Sequence, residues 1–164
     1  MKVLEGKHVV VFERHGWEFV ERKRAREAVA ILAITDDKKI VLTEQFRAPV
    51  QYGVVDLPAG LIEEYGPEET ARRELEEETG FTCDEAVLLT SCATSPGITS
   101  EIVHFYRAKG VRKIGPGGGV DGEKIRVHVT PLDGIDRWLR EMALDWNVID
   151  VKVWVGLHFA SQST

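Results

Sequence analysis

Between Gly60 and Phe81 the chain reads GLIEEYGPEETARRELEEETGF, and this stretch limits the possible folds more than any other. Its second half predicts a helix from Pro67 to Thr79. Pro67 stands near the start, where a missing N–H does no harm, and Gly80 follows as a C-cap signal. Ala71 and Leu75, four residues apart, form an apolar stripe suited to docking on a sheet. Glu74, Glu77 and Glu78 stand at i, i+3 and i+4, so their carboxylates leave one face about a turn apart. Like charges at that spacing destabilise a helix by roughly a few tenths of a kcal/mol per pair. A solvated acidic face is the plain account of such a run. The sharper account is a hard divalent cation with oxygen ligands, which would offset the repulsion.

The rest of the chain sets the frame. With 164 residues, 43% hydrophobic and 29% charged, it has the length and balance of one globular domain. A net charge of −6 argues against a nonspecific nucleic-acid binder, which needs a basic surface for phosphates. A phosphate-bearing substrate would need a cation as bridge. The longest apolar run, Ala28 to Ile34, is strand-length, so no membrane span is expected. The first ten residues, MKVLEGKHVV, lack the apolar core of a signal peptide. Cys83 and Cys92 fit no metal or redox spacing and read as buried free thiols of a cytoplasmic protein. No histidine pair has zinc spacing, and His128, in an alternating strand, reads as packed or hydrogen-bonded.

Strands are expected at His8–Glu13 and Trp17–Lys23, joined at His15-Gly16 as a hairpin. Glu27–Thr35 and Ile40–Phe46 read as a second hairpin across Asp36–Lys39. Further strands fall at Val54–Leu57, Ala86–Cys92, Ile102–Ala108 and Ile125–Thr130. Gly134–Ala143 and Asp150–Phe159 read as helices with Asp133 and Asp150 as N-caps. The segment from 110 to 124 holds six of the fifteen glycines and reads as a mobile loop, with Glu123 at its far end. Strands mixed with three helices give an α/β sandwich on a mixed sheet.

Residues Arg73 to Phe81, RELEEETGF, match the second half of the Nudix box, R-E-U-x-E-E-x-G-U, at every specified position, and Gly60 resembles its opening glycine. The similarity to Nudix proteins runs over most of the chain. Arg73 comes thirteen residues after Gly60, one fewer than the family pattern sets. The early glutamate of the box therefore falls on Tyr65 or Gly66, and Glu63 or Glu64 would serve after a shortened loop. The resemblance implies a Nudix-type α/β/α sandwich of 1–164. In it, an N-terminal hairpin (1–25) would serve dimerisation and 26–164 would form the catalytic core.

By that resemblance Glu74 and Glu78 are the principal Mg²⁺ ligands, Mn²⁺ serving as well, with Glu77 assisting and the carbonyl of Ala59 completing the set. Arg73 lies beside them, and its fork can hold the carboxylates in place without being a ligand. Glu123, taken alone, is an ordinary loop acid. Gly122 to Val129, however, resembles the segment that carries the catalytic glutamate in ADP-ribose pyrophosphatases, with Asp121 as the alternative. Pro96, sixteen residues after Gly80, sits near the offset that marks the ADP-sugar branch. In that branch Glu101 would bind the distal part of the substrate or position the nucleophile, and Arg47 would contact a phosphate or ribose. Trp17 or Phe19 would stack the base, and the protein would be a homodimer exchanging N-terminal strands. The expected activity is cleavage of ADP-ribose or a related nucleoside diphosphate sugar to a nucleoside monophosphate and a sugar phosphate. Another nucleotide substrate (a GDP-sugar, a dinucleoside polyphosphate, a triphosphate) or a noncatalytic ADP-ribose sensor are the alternatives.

Overall fold

The computed structural model describes residues 1–120 and 122–162. Among them the chain forms thirteen strands and three helices. In order these are β1 (Lys2–Glu5), β2 (Val9–Arg14), β3 (Trp17–Arg22), β4 (Glu27–Ala33), β5 (Lys39–Arg47), β6 (Tyr52–Asp56) and β7 (Ala59–Leu61). Then come α1 (Pro67–Thr79), β8 (Phe81–Thr82), β9 (Glu85–Ala93), β10 (Ile102–Lys109) and β11 (Arg112–Lys113). The chain closes with β12 (Arg126–Pro131), α2 (Ile135–Leu144), β13 (Asn147–Ile149) and α3 (Val151–Ser161).

Two mixed four-stranded sheets carry the architecture, ordered β7-β4-β10-β9 and β12-β5-β6-β13. β4 and β10 run parallel at the centre of the first, and β6 and β13 run parallel in the second. Alternation along β4 explains the layering. Ala28, Ala30 and Leu32 point into one apolar cluster with Val153 of α3, while Val29, Ile31 and Ala33 point into the other with Ala71 and Leu75 of α1. A strand covered on both faces reads as a continuous apolar run, as β4 does. Full burial of a side chain such as Leu75 contributes about 1.5–3 kcal/mol. This is the α/β/α sandwich expected from the sequence.

The hairpin expected across Asp36–Lys39 is corrected. The turn forms, with the Thr35 N–H donating to the Lys39 carbonyl at 2.9 Å, but among the described residues β4 and β5 share no ladder and meet only at an isolated bridge, Ile34 to Ile40. Both edges of β4 are already taken by β7 and β10, so β5 passes to the second sheet. The N-terminal hairpin is present and gains β1 as a third strand. It meets the body where the Val20 N–H donates to the Ile98 carbonyl at 2.8 Å and Arg22 pairs with Glu101 at 2.8 Å. Helix α2 is preceded by Gly134 rather than capped by Asp133, whereas the Asp150 carboxylate accepts from the Lys152 N–H and caps α3 as expected. Cys83 is buried and Cys92 half-buried, both free. His128 packs edge-on against Trp138 and bonds Glu44 at 2.7 Å. No helix among the described residues is long and apolar enough to cross a membrane.

Candidate active site

Helix α1 has the boundaries its sequence predicts, and its C-terminus is where the glycine-rich segment lands. Gly80 takes a left-handed conformation (φ 69°) and closes the helix with its N–H on the Glu76 carbonyl. The last carbonyls of a helix lack intrahelical partners. Here the loop supplies them: Gly118 and Gly119 donate to Glu78 and Glu77 at 2.8 and 3.0 Å, and Ile114 and Gly115 donate to Gly80. Lys113 sets its ammonium on the Thr79 carbonyl at 2.7 Å, a cation at the negative end of the helix dipole. These contacts tie the segment expected to be a mobile loop to the helix end at residues 113–119. The loop is stitched to the helix that bears the glutamates, and it thereby carries Glu123 to them.

The side chains converge on a cavity of about 370 Å³ where the two sheets part. Arg47, Ala59, Arg73, Glu74, Glu78, Glu101 and Glu123 all line it, as does Glu63, one of the two alternatives for the early glutamate of the box. Glu77 is not a lining residue; its carboxylate is held by Arg73 at 2.8 Å, and the other arm of the same guanidinium holds Glu74 at 2.6 Å. Trp17 and Pro96 also lie outside it. Trp17 stands at the tip of the β2–β3 hairpin, 64% exposed, and Pro96 occupies an exposed turn after β9. Asp121 lies outside the described residues.

Two charged lining residues went unread in the sequence, Asp56 and Lys152, whereas Arg22 belongs to a basic cluster, Arg22–Arg24 with Arg26, that reads either as a solvated strand end or as phosphate or carboxylate partners. Lys152 bridges Asp56 at 3.0 Å and Asp150 at 2.8 Å. Nearly a hundred residues separate Asp56 from Lys152, so local spacing holds no sign of the pair. A lysine at the first turn of a helix beginning with an Asp cap was the only available hint.

The electrostatics are those of acids kept out of water. Burial pushes the Glu78 carboxyl up to about 8, with Glu74, Asp56 and Glu123 adding repulsion against a hydrogen bond from the Ala59 N–H at 3.0 Å. Burial likewise pushes Glu74 up to about 7 against the pull of Arg73. Asp56 rises to about 6 through burial, although Lys152 opposes it. Burial would lower Lys152, but Asp56 and Asp150 outweigh it and the ammonium is held above its ordinary value. Among the described residues no three acidic, His or Cys side chains already converge on one point. Arg73 draws Glu74 and Glu77 to itself, and its buried Nε has no partner among those residues. Clustered, buried, proton-hungry carboxylates fit a hard divalent cation by donor chemistry. Gly60 packs so closely on Glu74 that a Cβ there would overlap its carboxyl, which fixes that side chain against the cavity wall.

These shifts set a sign. Each of the three acids binds its proton more tightly in the folded chain than at its ordinary value of 3.8 or 4.5. The stabilisation is therefore full below about pH 4 and is lost as pH rises toward 8. The metal-free protein is expected to melt several degrees higher near pH 5 than at pH 8.5, on the order of 5 °C after discounting the partly buried Glu74. Millimolar Mg²⁺ is expected to raise the melting temperature more at pH 8.5 than at pH 6, because ligands must be deprotonated. Differential scanning fluorimetry reads both. A metal-free melting temperature that is flat or rising over this range contradicts the buried-acid picture.

A sandwich of this topology, with an acid-bearing helix against a cavity between parted sheets, matches a known family. Residues 24–148 match the NUDIX domain, and the chain belongs to that family. It is 49% identical over 83 residues to an ADP-ribose pyrophosphatase of Bacillus subtilis (strain 168), covering 50% of this chain and 45% of that one. It is 48% identical over 98 residues to a methanol dehydrogenase activator of Bacillus methanolicus, covering 59% and 53%. A GDP-mannose pyrophosphatase of Klebsiella pneumoniae is 30% identical over 158 residues, covering 92% and 77%. The chain spans about half the length of the first curated relatives it matches. A solved ADP compounds hydrolase superposes with a TM-score of 0.67 at 23% identity over 85% of this chain and 80% of the other, which shows the fold.

Proposed function

We propose that this chain is a divalent-cation-dependent pyrophosphohydrolase that cleaves ADP-ribose or a related nucleoside diphosphate sugar to a nucleoside monophosphate and a sugar phosphate. The observation that carries the reading is the meeting, in one cavity, of Glu74 and Glu78 with Glu123, Arg47 and Arg22. Glu78 and Glu74, with Glu77 and the Ala59 carbonyl, would hold Mg²⁺ or Mn²⁺. When bound, the cation neutralises the diphosphate and lowers the pKa of a coordinated water. Arg73 orients the carboxylates from outside the ligand set. Glu123 takes the proton of the attacking water as general base. Arg47 and Arg22 receive the phosphates and ribose, and Glu101, held by Arg22, faces the distal sugar. The exposed Val3, Leu4, Val9 and Trp17 of the N-terminal sheet support a homodimer formed through those strands. Two free thiols support a reducing, cytoplasmic setting.

The test is product release from ADP-ribose, ADP-glucose, GDP-mannose and dGTP, with and without Mg²⁺. Metal-dependent AMP from ADP-ribose supports the reading, and the rank order fixes base and sugar. Binding of ADP-ribose with no turnover of any substrate replaces it with a sensor.

A further inference from the structure

Only two residues, Leu57 and Pro58, separate β6 from β7, and in that step the chain leaves the second sheet for the first. The crossing lies against the cavity, since Asp56 before it and Ala59 after it both line the wall. Its backbone is held at three successive points. The Leu57 N–H donates to the Asp56 carboxylate at 2.8 Å, and the Pro58 carbonyl accepts from the Ile31 N–H at 2.8 Å. The Ala59 N–H then donates to Glu78 at 3.0 Å. Wherever the crossing sits, the Glu78 carboxylate is aimed accordingly.

The start of α3 braces that crossing. β13 runs parallel to β6, and the Asp150 N–H carries the pairing on to the Val55 carbonyl at 2.9 Å. Lys152, two residues further, reaches back and sets its ammonium on Asp56 at 3.0 Å and on Asp150 at 2.8 Å. The Lys152 and Asp56 side chains are 15% and 10% exposed. A buried ion pair of this kind adds little stability over apolar residues of the same size, because both charges must leave water. What it supplies is direction. The Asp56 carboxylate cannot turn without giving up both the ammonium and the Leu57 N–H.

Resting on the reading of Glu78 as a cation ligand, we propose that Lys152 and Asp56 are positioning residues, which together hold the β6–β7 crossing so that Ala59 aims the Glu78 carboxylate into the cavity. Neither touches the substrate. Groups that orient a metal ligand from outside the ligand set typically change metal affinity or activity by about 10–100-fold when replaced.

The test reads metal binding apart from turnover. Metal-free protein is titrated with Mn²⁺, counting the unbound ion by electron paramagnetic resonance, in wild type, Lys152→Met, Asp56→Asn, the double variant and Leu139→Ala. Asp56→Asn keeps an oxygen for the Leu57 N–H but turns an amide NH₂ toward the ammonium. Leu139, buried in α2 and outside the cavity, controls for lost stability alone. Each single change at the pair is expected to weaken Mn²⁺ about tenfold or more. The double variant is expected to bind no worse than the weaker single, because one brace is broken once. Leu139→Ala is expected to lower the melting temperature with Mn²⁺ affinity within about twofold. With saturating Mg²⁺ and ADP-ribose, Lys152→Met is expected to lower kcat about tenfold or more with KM within about twofold. Unchanged Mn²⁺ affinity in Lys152→Met overturns the proposal, and so does an equal loss in Leu139→Ala. Losses that add in the double variant, or a raised KM at unchanged kcat, overturn it in favour of direct contact between Lys152 and the substrate. Where Lys152→Met does not fold, the double variant, which leaves no unpaired charge at Asp56, carries the same comparison with wild type. If wild type hydrolyses no sugar nucleotide yet Mn²⁺ binding depends on Lys152, the catalytic reading fails and the brace stands. If wild type hydrolyses ADP-ribose and Lys152→Met binds Mn²⁺ unchanged, the brace fails and the catalytic reading stands.

Discussion

Glu78→Gln is expected to lower kcat by about 10³-fold or more, on the scale seen when one preorganised charge-stabilising group is removed from an active site. The same substitution is expected to leave the fold intact. Glu78 is only 7% exposed, and its carboxylate has one protein hydrogen bond, from the Ala59 N–H. The amide oxygen of Gln keeps that bond at nearly unchanged volume. Because burial holds the Glu78 proton up to about 8, replacing the acid removes a cost to the metal-free protein at pH 8. Its melting temperature there is expected to hold or rise, while the gain on adding Mg²⁺ shrinks. Loss of activity together with a lower melting temperature would mean misfolding rather than a lost ligand. Near wild-type turnover would remove Glu78 from the ligand set.

Gly80→Ala has the largest expected effect on stability. Gly80 has φ 69°, and a Cβ there would overlap the carbonyl of Gly115. Gly117, at φ 69°, presses on the backbone of Thr79 from the other side. Helix end and loop are in backbone-to-backbone contact, so neither can move aside cheaply. Left-handed strain with a forced separation is expected to cost about 3 kcal/mol or more, lowering the melting temperature by about 10 °C. Lifting the loop also abandons the bonds from Gly118 to Glu78 and from Lys113 to Thr79. Turnover is expected to fall with stability, since Glu123 rides on that loop. Gly122→Ala is the control: φ is 87° but nothing lies within 4 Å of the new Cβ, so strain alone should cost about 1 kcal/mol. Urea denaturation of the two variants compares them. Equal losses would show that the docking of loop on helix contributes nothing.

What was legible in the sequence follows from where the determining forces are local. The bounds of α1 could be read because Pro67 fixes φ at the helix start and Gly80 admits the left-handed cap without strain, whatever surrounds them. The partnership of β4 and β5 could not, since the turn at Thr35–Lys39 has the same residues whether the strands pair or part. The outcome depends on β7 and β10, which claim the edges of β4 from far along the chain. β13 escaped notice because three residues are too few for a period of two to show. Glycines at 115 and 117–119 suggested freedom because their flexibility is intrinsic, whereas the helix carbonyls that immobilise them lie more than thirty residues away. Within the site, the glutamates of α1 announced themselves through helical spacing. Asp56 and Lys152 meet only by tertiary folding, and a lone Asp and a lone Lys carry no pattern.

The cavity gathers charged side chains from well-separated parts of the chain. Glu74 and Glu78 belong to α1 and Glu123 to its capping loop, while Asp56 closes β6 and Lys152 opens α3. Of α3 only Lys152 reaches the cavity, where it ties Asp56 to Asp150, so the last helix acts on the site as a lever with a single point of contact.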